Sequence, residues 1–191
     1  MSLTFANKVT IVRILAVPFF IATVLYYSPE ENYLRYVALG IFLFAVISDV
    51  IDGYIARTRD QKTRAGAILD PLADKLLLIS AFICLYKIGI QLGEIHFPVW
   101  FVVAVISRDV ILLLGSMIIY SIHGHLDIVP SKWGKATTFF QIFSVLGVLL
   151  QWPISVPLWG STIIFTIISG VGYIKNGIKV LNSPLPNKQS K

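Results

Sequence analysis

Long, nearly unbroken stretches of apolar residues alternate with short polar breaks along the whole of this chain. A helix crossing a hydrocarbon core of about 30 Å needs roughly 20 mostly apolar residues, because each residue advances about 1.5 Å. Six stretches meet that need, near 9–27, 33–56, 67–90, 98–121, 134–151 and 157–176. None alternates with the period of two that a barrel strand shows, so the runs predict helices. The breaks hold turn chemistry: Ser28-Pro29-Glu30, Gly93 to Pro98, Gly124, Pro130-Ser131, and Pro153 to Pro157. The expected fold is all-α, a polytopic membrane protein with six transmembrane helices. Residues 1–181 form its one membrane domain, and the polar, proline-containing stretch 182–191 is expected to be a flexible tail. The first run lacks a small-residue cleavage site and reads as a retained helix.

Composition agrees with this picture. Of 191 residues, 56% are apolar and only 14% charged, against about 25% charged in soluble domains. The net charge of +6 would suggest nucleic acid in a soluble protein. Here the cations fall between apolar runs, which points to an anionic membrane face and no nucleic acid. Lys8, Arg13, Arg57, Arg59, Lys62, Arg64, Lys132, Lys135, Lys175, Lys179, Lys188 and Lys191 fall on one face if there are six spans. The positive-inside rule then places both termini in the cytoplasm. The single cysteine, Cys84, excludes an intramolecular disulfide and reads as a small core side chain. His123 and His125 flank Gly124 and read as an interfacial turn rather than a metal site. Trp100, Trp133, Trp152 and Trp159 lie near helix ends, where interfacial anchoring is expected.

The acidic residues do change the picture. Asp49 and Asp52 end one apolar run, and Asp70 and Asp74 begin the next. Carboxylates near hydrocarbon persist when paired, hydrated or metal-bound. At spacings of three and four, each pair projects to one helix face. Gly53 and Ala56 share the first stripe and leave room for close approach. Gly66 extends the second if its helix starts early enough. Pro71, lacking an amide proton, suits a first helical turn, which would put Asp70 at the helix entry. Four facing carboxylates repel unless cations intervene, and hard oxygen ligands suit Mg²⁺, Mn²⁺ or Ca²⁺. Two such ions could clamp a pyrophosphate for an in-line displacement, with Arg57 adding a bidentate phosphate contact. A solvated cluster neutralised by Arg57, Arg64 or Lys75 accounts for one aspartate readily and for four at these spacings poorly. A cation transporter using the same carboxylates is a distant alternative, disfavoured because the acidic residues sit at one boundary only.

Asp49-Val-Ile-Asp52-Gly53-Tyr-Ile-Ala56-Arg57, eight residues, then Gly66-Ala-Ile-Leu-Asp70-Pro-Leu-Ala-Asp74 resembles the CDP-alcohol phosphatidyltransferase signature, D-x2-D-G-x2-A-R-x8-G-x3-D-x3-D, at all eight fixed positions. Asn7, Thr10, Arg13 and Pro18 resemble the family's N-terminal pattern. Pro130-Ser131-Lys132 with Lys135, Thr138 and Gln141 resembles the opening of its fifth helix. The resemblance implies a six-helix bundle with a cytoplasm-facing cavity, usually a homodimer. It implies that Asp49, Asp52, Asp70 and Asp74 hold two divalent ions, Mg²⁺ or Mn²⁺, and that Asp74 is also the general base. Asn7, Thr10, Asp52, Gly53, Ala56, Arg57 and Gly66 would then bind the CDP part of CDP-diacylglycerol, and CMP would leave.

The acceptor is less legible. A phosphorylated alcohol such as glycerol 3-phosphate needs cations, and Arg108, Lys132, Lys135 and Arg13 are the candidates. Arg108 lies mid-helix, too deep to reach water easily, so it should face the cavity, paired with Asp109 or an anion. A purely structural Arg108–Asp109 pair and ordinary positive-inside anchoring by the lysines are the simpler readings of the same residues. Size and pattern resemble bacterial phosphatidylglycerophosphate synthases, many of which carry Arg-Glu where this chain has Arg108-Asp109. The stretch Ile106 to Val110 is more similar to CMP-forming cardiolipin synthases, whose acceptor is phosphatidylglycerol.

Overall fold

Among its described residues, the computed structural model has seven helices and one 3-10 turn. It describes the backbone of residues 5–58, 64–123 and 132–181, and the side chains of 11–51, 73, 75–117 and 132–175. In chain order these are α1 (Phe5–Leu25), the 3-10 turn Pro29–Glu31, α2 (Tyr33–Thr58), α3 (Arg64–Lys87), α4 (Gly89–Leu92), α5 (Val99–His123), α6 (Lys132–Leu149) and α7 (Ser155–Leu181). No strand occurs among the described residues. The six long helices fall on the six apolar runs. The stretches Tyr33–Ile51, Val99–Met117 and Ser155–Lys175 are long and apolar enough to cross a membrane, and α1 carries a shorter apolar stretch, Ile11–Leu25. The chain is an all-α, polytopic membrane protein.

Local chemistry explains the breaks. Ser28 caps the 3-10 turn by accepting from the Glu31 N–H at 3.3 Å, and Pro29 occupies the first position, where no amide donor is needed. After α4 the chain reverses at Gly93, whose φ of 144° favours glycine. A side chain there would also meet the Gln151 amide, since an added Cβ would lie 2.4 Å from Oε1. That amide ties two loops together: Ile95 N donates to Oε1 at 3.2 Å, while Nε2 donates to the Ile95 and Val148 carbonyls at 3.0 and 2.9 Å.

Packing divides the bundle into two groups. In one, α1 lies against α2 and α3; in the other, α7 lies against α6 and α5. Helix α3 reaches both α5 and α6, and α2 touches α6, so the groups share one core. Phe20 and Phe42 meet across α1 and α2 with ring centroids 5.9 Å apart. Phe82, Phe97, Phe101 and Trp159 form an aromatic cluster joining α3, α5 and α7. The α6–α7 seam is made of small and hydroxyl residues. Ser144 and Thr162 share a 3.0 Å hydrogen bond, Thr137 donates to the Phe165 carbonyl at 3.0 Å, and Gly147 sits against Ser155. Such residues let membrane helices approach closely where burial of apolar surface gives no drive, since lipid tails are equally apolar. Phe19, Phe44, Val50 and Ile164 stand more than half exposed on the outside, as a lipid-facing surface allows.

Three sequence expectations shift. Helix α3 begins at Arg64, so Gly66 lies within it, while Pro71 lies inside the helix and Asp70 is not at its entry. Trp100, Trp133 and Trp152 are exposed near helix ends as expected. Trp159 instead is buried, because α7 turns it onto Phe97 and Phe101. The one-turn helix α4 was not anticipated; its four residues are too few to leave a periodic signal. Cys84 is buried, as expected.

Candidate active site

Two groups of polar side chains sit among the helices, one around Asp49 and one around Asp109. Arg13, in the first half of α1, donates through Nη2 to Asp49 Oδ1 near the end of α2 at 2.7 Å. The arginine side chain is 2% exposed and the aspartate 40%. Both line a cavity of about 60 Å³ between α1, α2, α3 and α6, together with Ala45, Val46, Leu77, Leu78, Thr138 and others. Its walls are mainly apolar, with polar groups from Arg13, Asp49 and Thr138. Asp49 is thus a partly open carboxylate on the wall of a cavity that α2 and α3, the two helices carrying the whole aspartate signature, both line.

The side chains of Asn7, Thr10, Asp52, Gly53, Ala56, Arg57, Gly66, Asp70, Asp74 and His123 lie outside the described residues, as do His125 and 182–191 entirely. Among the described residues no three His, Cys, Asp or Glu side chains converge. The one signature aspartate that is described fits a divalent ion. It is a hard oxygen donor, only partly buried, with one oxygen held by an arginine, as outer partners hold metal-ligating carboxylates.

A second polar group surrounds Asp109. This residue is 1% exposed, and its carboxylate accepts from Arg108 Nη1 at 2.7 Å, from Lys75 Nζ at 2.9 Å and from Gln141 Nε2 at 3.3 Å. Arg108 also donates through Nη2 to Ser169 Oγ on α7. Arg108 is therefore paired with Asp109, and it does not line the cavity beside Asp49. The four acceptor candidates do not converge on one point: Arg13 engages Asp49, Arg108 engages Asp109, and Lys132 and Lys135 are exposed in the first turn of α6.

Sequence reading missed Ser169 and the Lys75–Asp109 pair. For Ser169 a signal existed: Ser155, Thr162, Thr166 and Ser169 recur at helical spacing in an apolar run, and all four are buried. For Lys75 there was none, because its partner lies on another helix.

A family model described as CDP-alcohol phosphatidyltransferase matches residues 3–172. The chain is 32% identical over 182 residues to the "Probable phosphatidylglycerophosphate synthase" of Mycobacterium tuberculosis, a match covering 91% of this chain and 81% of that protein. It is 30% identical over 195 residues to the CDP-diacylglycerol--glycerol-3-phosphate 3-phosphatidyltransferase of Bacillus subtilis, covering 93% and 96%. A "Putative cardiolipin synthase" of Mycobacterium bovis is 34% identical over 137 residues, covering 72% and 60%. The complete aspartate signature, the helical fold and a match over most of its length make this chain a member of the CDP-alcohol phosphatidyltransferase family.

Proposed function

We propose that this protein transfers the phosphatidyl group of CDP-diacylglycerol to a hydroxyl of glycerol 3-phosphate, releasing CMP, as a step in making phosphatidylglycerol. The observation that carries the reading is Asp49, a partly open carboxylate on the wall of the cavity that both signature-bearing helices line. The names of the Mycobacterium tuberculosis and Bacillus subtilis relatives support glycerol 3-phosphate as the acceptor.

Asp49, Asp52, Asp70 and Asp74 would hold two divalent ions, Mg²⁺ or Mn²⁺. Bound there, such ions neutralise the donor's diphosphate and the charge that builds on its oxygens. Asp74 takes the proton from the acceptor hydroxyl. The acceptor oxygen then bonds to the phosphorus of the phosphatidyl group, the bond from that phosphorus to the bridging oxygen breaks, and CMP carries that oxygen away. Asn7, Thr10, Gly53, Ala56, Arg57 and Gly66 bind the cytidine and diphosphate. Arg13 keeps the Asp49 carboxylate in one orientation, and Arg108, Lys132 and Lys135 attract the acceptor's phosphate. Six spans, both termini and the site on the cytoplasmic side, and a homodimer complete the proposal.

A second acceptor has its own observation. The relative named as a cardiolipin synthase, together with this chain's own Asp109 after Arg108, favours phosphatidylglycerol. Purified protein with CDP-diacylglycerol and Mg²⁺ decides between them. CMP release with glycerol 3-phosphate is expected, and release with phosphatidylglycerol alone would replace the first acceptor by the second.

A further inference from the structure

Asp109 ties four helices to one carboxylate. From α5 it binds Arg108 of its own helix, Lys75 of α3 and Gln141 of α6, and Arg108 passes the connection to Ser169 of α7. A carboxylate removed from water is held by its partners, and it holds them in return. Because a carboxylate only accepts, it must face the Gln141 NH₂ group, which turns Oε1 away from it. Gln141 is 0% exposed and Arg108 8%, yet Gln141 Oε1 and Arg108 Nε have no hydrogen-bond partner among the described residues. One buried acceptor and one buried donor are thus left over, on two side chains anchored by the same carboxylate. Buried polar atoms are rarely left so, and a ligand that both accepts and donates would satisfy the pair. A phosphorylated polyol does this: a phosphate oxygen takes the Nε–H, and a hydroxyl donates to Oε1.

We propose that Asp109 is a positioning residue that presents Arg108 Nε and Gln141 Oε1 to the acceptor, with Gln141 reading an acceptor hydroxyl. The proposal rests on the phosphorylated acceptor assigned above. It also gives the Lys75 contact a purpose. Holding Lys75 against α5 fixes the rotation of α3 about its own axis, and α3 is the helix that carries Asp70 and Asp74.

The test is steady-state CMP release by the detergent-purified protein, with each substrate varied in turn. Asp109→Asn, whose amide presents a donor where the carboxylate only accepts, is expected to raise KM for glycerol 3-phosphate roughly 10- to 100-fold, the usual effect of losing an orienting partner. KM for CDP-diacylglycerol stays the same, and Asp109→Glu recovers part of the loss. Gln141→Leu keeps side-chain bulk and leaves Asp109 with both cations. It is expected to raise the acceptor KM roughly 5- to 10-fold, as the loss of one hydrogen bond does, and it carries the test if Asp109→Asn does not fold. Equal changes in both KM values, or an unchanged acceptor KM in folded Gln141→Leu, would overturn the proposal. If the wild type uses phosphatidylglycerol instead, the glycerol 3-phosphate reading fails, while the same comparison made with phosphatidylglycerol still decides the role of Asp109.

Discussion

Arg13 and Asp49 meet at 2.7 Å across the α1–α2 seam, the guanidinium sealed at 2% exposure and the carboxylate open at 40%. The sealed partner sets the orientation of the open one, which faces the cavity. Arg13→Lys keeps the charge but loses the planar fork that grips a carboxylate. It is expected to lower kcat roughly 10- to 100-fold and to raise the Mg²⁺ concentration needed for half-maximal activity. A metal titration of CMP release by the variant reads both effects.

Asp74→Asn removes the proposed proton acceptor without changing side-chain size. Turnover is expected to fall by about 10²–10⁴-fold, the usual range for a general base, with the melting temperature kept. A chelator is expected to silence the wild type, and added Mg²⁺ or Mn²⁺ to restore it. Full activity in either experiment would remove the chemistry assigned to the aspartates.

Lys132 and Lys135 are exposed in the first turn of α6, so each acts through screened charge. Exposed charges contribute about 0.2–1 kcal/mol, so replacing either by Ala is expected to raise KM for glycerol 3-phosphate only about 1.5- to 5-fold. Raising the salt concentration should shrink the difference between variant and wild type. A loss that salt leaves untouched would mean a direct, enclosed contact instead.

Gly147 faces Ser155 across the α6–α7 turn, and an added Cβ would lie 2.3 Å from Oγ and 3.2 Å from Cβ of that serine. Gly147→Ala is expected to cost about 1–3 kcal/mol through overpacking. Adding Ser155→Gly should return part of the loss, because it removes both clashing atoms. Thermal melts of the two single variants and the double variant measure that coupling.

Gln151 holds a φ of 52° and makes three hydrogen bonds to the Ile95 and Val148 backbone. At about 1 kcal/mol each, their loss in Gln151→Ala is expected to cost roughly 2–3 kcal/mol. Both KM values should stay unchanged, since this turn lies at the opposite end of α6 from Lys132. A melting curve and a two-substrate kinetic run together check the separation of stability from activity.

The six long helices were legible because each apolar run is continuous and the breaks carry proline, glycine, a cap such as Ser28 or, around Arg57 to Arg64, a run of charge. The start of α3 was less so: Pro71 reads as a first-turn residue, yet the helix begins at Arg64. The aspartate signature was legible in full, because its residues are local in sequence. The contacts of Asp109 were not. Lys75 lies 34 residues away and Ser169 lies 61 residues from Arg108. What brings them together is the rotation of each helix about its axis. A membrane helix is apolar on its packed side and on its lipid side alike, so its hydrophobic pattern does not reveal which side faces inward. Trp159 illustrates the same blindness: near a helix end it reads as an anchor, and rotation of α7 makes it core.

The pairing of Arg108 with Ser169 has a consequence for biogenesis. Helices are synthesised from the N-terminus onward, and α1 packs on α2 and α3, so that group can assemble while the ribosome is still making the rest. Helix α5 finds its main neighbour in α7, which is made after it. Until α7 arrives, Arg108 lacks its serine and must wait in the bilayer with Asp109 as its companion. A ribosome stalled before α7 would leave a chain whose first three helices are packed and whose Arg108 is still half-held.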